Sequence, residues 1–162
     1  MENLEELKKK YEELGKEIKR LENQKKNKRW RAEVDQVYYF ITQEATVDWC
    51  YDNDDSIDNF RYKTRNYFKT EEEAQRYLDN INTYYDLMDL AEELNDGEEI
   101  DWNNRHQKKY CIYYDFVEDS FNLDYHFYLK AAGQIYCLNI DFLNIAKERI
   151  GEERLKKLFK GE

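Results

Sequence analysis

The sequence predicts an α+β protein: an N-terminal coiled-coil helix followed by two βββα-like units, each an antiparallel sheet covered by a helix. Three observations carry this. Leu4, Leu7, Tyr11, Leu14, Ile18 and Leu21 recur at intervals of three and four on a helix otherwise made of Lys and Glu, the a/d seam of a coiled coil. Short runs of β-branched and aromatic residues, separated by polar turns, read as strands. Thr70 followed by Glu73 is a capping box that opens a long periodic helix.

The stalk helix covers about Glu2 to Asn27, with residues 1–29 forming an oligomerising segment and 30–162 the body. Its seam is wide enough for one partner helix and too narrow for a globular core, so the expected partner is another copy of the chain, most simply in a parallel dimer with Leu7, Leu14 and Leu21 at d. Lys25 and Lys28 fall on seam positions and end it, within a basic cluster of Lys25, Lys26, Lys28, Arg29 and Arg31 that complements a helix C-terminus. The first unit, about 30–97, is expected to hold strands at Val37–Thr42, Thr46–Tyr51 and Ile57–Arg65, joined by Gln43-Glu44-Ala45 and by Asp52 to Ser56. The helix after Thr70 places Ala74, Tyr77, Leu78, Ile81, Tyr84, Tyr85, Met88, Ala91 and Leu94 at helical spacing, and Asn95-Asp96-Gly97 stops it. The second unit, about 100–162, repeats the plan. Strands are expected near Lys109–Val117, Asn122–Leu129 and Gln134–Leu138, then a closing helix from about Ile140 that Gly151 interrupts; Asn139 takes the capping place of Thr70.

With 162 residues there is room for one compact body beside the stalk. A core of 15 Tyr, 8 Phe and 3 Trp compensates for the low hydropathy. Tyr38 and Phe40 alternate with Tyr39 and Ile41, so both faces of that strand need cover: a helix on one and a sheet or partner on the other, unless one face is a surface patch that stacks on a nucleotide or docks a target. Cys50, Cys111 and Cys137 form no CxxC pair and read as reduced, buried thiols of a cytoplasmic protein. No run of about 18 apolar residues and no apolar leader occurs, so neither a membrane span nor secretion is expected.

Charge is divided. Residues 1–32 carry 11 Lys/Arg against 7 Asp/Glu; the remainder carries 15 against 29. Such a body repels phosphates, so direct DNA binding by it is not expected. Its carboxylates can instead imitate phosphates toward a basic partner, and two clusters are candidate partner-binding residues: Asp52, Asp54, Asp55 and Asp58, and Asp115, Glu118, Asp119 and Asp124. They lie in turns and are expected to be solvated, so that reversing them leaves the fold intact.

Enzyme chemistry finds no foothold. His106 and His126 have no second His or Cys at a metal-ligand spacing. Asp52 to Asp58 resembles a calcium loop, but Ile57 replaces its Gly and Lys63 its bidentate Glu. There is no phosphate loop, no GxSxG and no cysteine with a recognisable base. Neither an enzyme nor a cofactor is expected.

Trp30, Tyr38-Tyr39, Trp49, Arg61, Asn66-x-Phe68-x-Thr70-x-Glu72-Glu73-Ala74, Ile100-Asp101-Trp102, Gln107-Lys108-Lys109-Tyr110, Gly133-x-Ile135-Tyr136 and Ile150-Gly151-Glu152-Glu153-Arg154-Leu155-Lys156-Lys157 together resemble a family of small uncharacterised proteins found in phages and integrative elements of low-GC bacteria. The resemblance covers about residues 28–160. It implies a mobile-element protein in the host cytoplasm, where small acidic accessory proteins often antagonise defence systems. Three readings remain: an anti-CRISPR-like inhibitor that binds a basic host defence protein, an oligomeric sponge that traps a signalling nucleotide with Arg61, Arg65 and Arg105, and an assembly accessory. The inhibitor ranks first, because an acidic body holds an anion only where arginines converge.

Overall fold

The computed structural model describes residues 8, 10–16, 18 and 29–162. Positions 8, 10–16 and 18 are helical; Leu4, Leu7 and Leu21, like the basic residues 25, 26 and 28, lie outside the described residues. From Arg29 onward the chain mixes helices with two separate antiparallel hairpins.

β1 (Val37–Ile41) and β2 (Val47–Tyr51) pair with Val37 opposite Tyr51 and Tyr39 opposite Trp49. The expected third strand is instead a helix, α1 (Ser56–Lys63). The reason is local. Asp55 caps it, accepting from the Ile57 and Asp58 amides at 2.7 and 2.9 Å, while the Asp58 carboxylate reaches back to the Asp55 amide. This reciprocal cap outweighs the β-preference of Ile57, Phe60 and Tyr62. The third strand's place beside β1 falls to one residue, Phe68, which exchanges both backbone hydrogen bonds with Tyr39 at 2.8 and 2.9 Å.

α2 (Glu71–Asn95) starts at Thr70, whose hydroxyl accepts from the Glu73 amide. The Glu73 carboxylate reaches the Lys69 amide instead of closing the box on Thr70. Asp96 and Gly97, both left-handed with φ 49° and 78°, end the helix. β3 (Lys109–Asp115) and β4 (Ser120–His126) make the second hairpin, with Ile112 opposite Leu123. The strand expected at Gln134–Leu138 is reduced to a two-hydrogen-bond bridge between Cys137 and Tyr110. Asn139 accepts from the Asp141 amide, making a turn just ahead of α3 (Phe142–Ala146). One π-turn, Lys147–Gly151, and α4 (Glu152–Lys160) complete the chain; Gly151 sits at φ 99°, where a side chain is strained. Each expected βββα unit is therefore a hairpin, a single bridging residue and helices.

Two hydrophobic clusters result. The larger unites Leu87, Leu90 and Ala91 of α2 with Ile112, Phe121, Phe142, Ile150 and Leu155. The smaller holds Ala32, Tyr38, Phe40 and Tyr67. α2 touches both hairpin 1 and the C-terminal helices. Its buried N-terminal residues Ala74 and Leu78 lie within about 40° of one another, whereas Leu87 and Leu90 lie roughly 160–220° away from Ala74 at 3.6 residues per turn. The helix buries opposite sides in its two halves.

Candidate functional site

The first expected acidic cluster turns inward. Arg31 precedes β1 and its guanidinium forks onto Asp52, with Nε and Nη2 at 3.0 and 3.3 Å from the two carboxylate oxygens, onto Asp54 at 2.9 Å and onto Asn59 at 2.9 Å. Tyr67 donates its hydroxyl to Asp52 at 2.5 Å. Asp52 is 1% exposed and Asp58 3%. Asp58 accepts from the Tyr38 hydroxyl at 2.7 Å and the Asn53 amide at 2.7 Å. The rings of Tyr38 and Tyr67, whose hydroxyls go to Asp58 and Asp52, stack at 3.8 Å. The expectation that these aspartates are solvated is corrected for Asp52 and Asp58: short-range sequence shows a polar turn, but Arg31, 21 residues away, makes burial possible by pairing the charge.

The network is electrostatically closed. Burial works against ionisation of Asp52, but the hydrogen bonds from Arg31, Tyr67 and the Asp54 amide prevail and hold it below the ordinary carboxylate range. Burial, reinforced by hydrogen bonds to carboxylates, raises the Tyr38 and Tyr67 hydroxyls above their usual values. Hydrogen bonding to Asp52 raises Arg31. The shifts of Arg31, Tyr38, Asp52 and Tyr67 all lead away from neutral pH, and the hydrogen bonds among these residues and Asp58 pin β1, β2 and α1 together. Arg61 is part of the same pin: Nη1 donates to the Tyr38 hydroxyl at 2.9 Å and the Cys50 thiol at 3.1 Å, and the guanidinium lies 3.4 Å from the Phe40 ring centre. Arg65, exposed at φ 70°, follows α1, and Arg105 is exposed in the loop before β3. The three arginines of the nucleotide reading thus sit on separate elements, one of them already engaged.

The remaining acidic candidates are scattered in role. Asp54 is exposed but paired with Arg31, and Asp55 is the α1 cap. Asp115 caps its turn by accepting from the Val117 and Glu118 amides at 2.8 and 3.1 Å. Asp119 accepts from Lys160 at 2.8 Å and from the Tyr114 hydroxyl, and these contacts hold its carboxyl down at about 2. Glu118 and Asp124 stand exposed.

α2 carries a third acidic surface, outside both expected clusters. Glu72, Asp79, Asp86, Asp89 and Glu93 recur at intervals of seven, seven, three and four on one side of a helix about 37 Å long. Asp86 and Glu93 are neutralised by Arg154 and Arg149, each pair at 2.6 Å. Glu71, Glu72, Asp79, Asp89 and Glu92 are exposed and have no ion-pair partner among the described residues. The signal was present: the spacing of three, four and seven that marks the expected N-terminal seam also marks this row of carboxylates.

Two further surfaces are open. Trp49 and Tyr51 of β2 are about half exposed and meet edge-on at 5.6 Å, so the hairpin face opposite the Tyr38–Phe40 core is partly uncovered. In the N-terminal helix Tyr11, Leu14 and Ile18 are 80%, 64% and 49% exposed. Lys109 has the opposite fate: it is fully buried and its Nζ donates to the Asn104 and Phe127 carbonyls at 2.8 and 2.7 Å, which fastens the Trp102 loop to the end of β4. Among the described residues no group of three or more His, Cys, Asp or Glu is placed to hold a metal, and no helix is long and apolar enough to cross a membrane.

Comparison with protein families, with curated proteins and with solved structures finds no match to this chain.

Proposed function

We propose that this chain is a non-enzymatic interaction protein of a phage or integrative element that antagonises a basic, nucleic-acid-handling defence protein of the host, with carboxylates standing in for a phosphate backbone. The observation that carries the reading is the surface of α2, where Glu71, Glu72, Asp79, Asp89 and Glu92 are exposed and make no ion pair among the described residues. Asp52, Asp86, Asp119 and Glu93 are engaged with the chain's own cations, which makes the α2 row the acidic surface presented to a partner. The mimicry surface accordingly moves away from Asp52 and Asp58, which are internal, to α2 with Glu118 and Asp124 as outliers. The family resemblance supports the setting. The nucleotide-sponge reading is weaker, because Arg61 is committed to Tyr38, Cys50 and Phe40.

The test is capture from a host lysate on the immobilised chain, with the variant Glu72→Lys/Asp79→Lys/Asp89→Lys/Glu92→Lys in parallel. A basic nuclease or nucleic-acid-binding defence protein is expected on the native chain and not on the variant. Its retention should fall steeply between 0.1 M and 1 M salt, as the Debye length falls from about 10 Å to about 3 Å. Equal capture by both chains, insensitive to salt, refutes mimicry.

A further inference from the structure

The two hairpins end alike at their outer edges. On the inner side Tyr39 exchanges both backbone hydrogen bonds with Phe68, and Tyr110 does the same with Cys137. Backbone groups along an antiparallel strand point alternately to its two sides, so Tyr39 and Tyr110 turn their N–H and C=O away from β2 and β4. The residues opposite them, Trp49 and Tyr125, turn theirs to the outer edge. At both positions the preceding aspartate claims the outward amide: Asp48 Oδ1 accepts from the Trp49 N–H at 2.8 Å, and Asp124 Oδ1 from the Tyr125 N–H at 2.7 Å. One rung thus runs from Phe68 through Tyr39 and Trp49 and stops at a carboxylate. Its counterpart runs from Cys137 through Tyr110 and Tyr125 and stops at another.

These edges need closing. A strand edge with free amides is a template for another chain, and proteins commonly blunt it with Lys, Pro or a bulge. Neither β2 nor β4 contains Lys or Pro, and both ladders keep unbroken register. Trp49 and Tyr125 are 52% and 44% exposed, which leaves both rungs open to solvent. A second copy brings a matching edge: laid antiparallel about a two-fold axis at Trp49, it would pair Trp49 with Trp49 through both amides and set Tyr51 across from Val47. With the carboxylate in place that amide is taken, and a charge-assisted hydrogen bond must break before a strand can join. We propose that Asp48 and Asp124 are edge locks, each occupying the central outward amide of its strand, and that they keep copies of this chain from joining edge to edge.

Amide exchange and sedimentation of the full-length chain test this, with Asp48→Ala/Asp124→Ala set beside Glu44→Ala/Glu148→Ala, which removes the same charge from exposed positions elsewhere. In dilute solution the Trp49 and Tyr125 amides of the first variant are expected to exchange about tenfold faster than in the native chain, the weight of one charge-assisted hydrogen bond. As concentration rises, that variant is expected to associate about tenfold more strongly than the native chain, and the same two amides then become protected. Glu44→Ala/Glu148→Ala should sediment as the native chain does. So should Asp48→Asn/Asp124→Asn, whose side-chain oxygens still reach the amides. Each single Asp→Ala variant opens one edge and should gain protection at that edge alone. Sedimentation of Asp48→Ala/Asp124→Ala indistinguishable from native overturns the proposal. So does equal association of the Glu44→Ala/Glu148→Ala chain, or association in which the Trp49 and Tyr125 amides still exchange freely.

Discussion

Replacing Asp52 with Asn leaves Arg31 facing a neutral amide in a site where Asp52 itself is 1% exposed. The geometry sets the size of the effect. Asp52 receives both Nε and Nη2 of Arg31 and the 2.5 Å hydrogen bond from Tyr67. Removing one member of a fully buried pair costs about 3–5 kcal/mol. The Arg31 side chain is 29% exposed and keeps Asp54 and Asn59 as partners, so a loss of about 2–3 kcal/mol is expected, a fall in Tm of roughly 4–12 °C for a chain of this size. Asp54→Asn, which removes a carboxylate on a side chain 67% exposed, should lower stability by less than about 1 kcal/mol. Thermal melts followed by tyrosine and tryptophan fluorescence measure both. The pH dependence follows from the sign of the shift: because folding lowers the Asp52 pKa, its contribution is complete at neutral pH and is lost as pH falls through the folded-state value. The gap between native and Asp52→Asn chains should be constant from pH 5 to 8 and shrink below about pH 4. A double cycle with Arg31→Met should show coupling of about 1–3 kcal/mol. An Asp52→Asn chain that melts within 1 °C of the native one at pH 7 refutes the claim that this carboxylate holds hairpin 1 to α1.

Asp55→Ala removes the α1 cap and should cost about 1 kcal/mol in urea unfolding, whereas a strand at this position predicts no such loss. Burial pushes the Cys111 thiol up to about 11 and also raises Cys137; in the folded protein at pH 8 an aromatic disulfide reagent should therefore label one thiol per chain, at Cys50, with the other two reacting only on denaturation.

The strands of both hairpins, the start and stop of α2 and the break at Gly151 are legible because each depends on residues within a few positions: alternation, a Thr70 cap, an Asp96-Gly97 stop. Ile57–Arg65 misleads for an instructive reason. Its composition favours a strand, while the deciding contact, Asp55 with Asp58, is indistinguishable from a polar turn until the helix is drawn and the two side chains answer each other's amides. The fate of Asp52 is hidden more deeply, since Arg31, Tyr67 and Asn59 meet it only after the chain has folded across up to 21 residues. The same applies to Arg61, which in the nucleotide reading holds a ligand but finds Tyr38, Cys50 and Phe40. On α2 the period of Ala74, Leu78 and Ile81 continues through Tyr84, Tyr85 and Met88, so a single buried stripe is the natural reading. Leu87 and Leu90 lie outside that row, and the C-terminal helices packed on α2 make their side the buried one in its C-terminal half.

α2 buries one side at Ala74–Leu78, in the half that touches hairpin 1, and the other at Leu87–Leu90 within the larger hydrophobic cluster, so its middle turns join two separately packed ends. Helix formation is cooperative along the backbone, so those turns are the route by which the folding of one cluster reports to the other. Amide protection along α2 is then governed from both ends: opening of the hairpin 1 cluster releases the helix from its N-terminus, opening of the C-terminal cluster releases it from Asn95, and the turn at Asn80–Thr83 exchanges by whichever opening is cheaper. The long helix is a torsional coupling between two small folding units, and its stiffness sets how far they unfold as one.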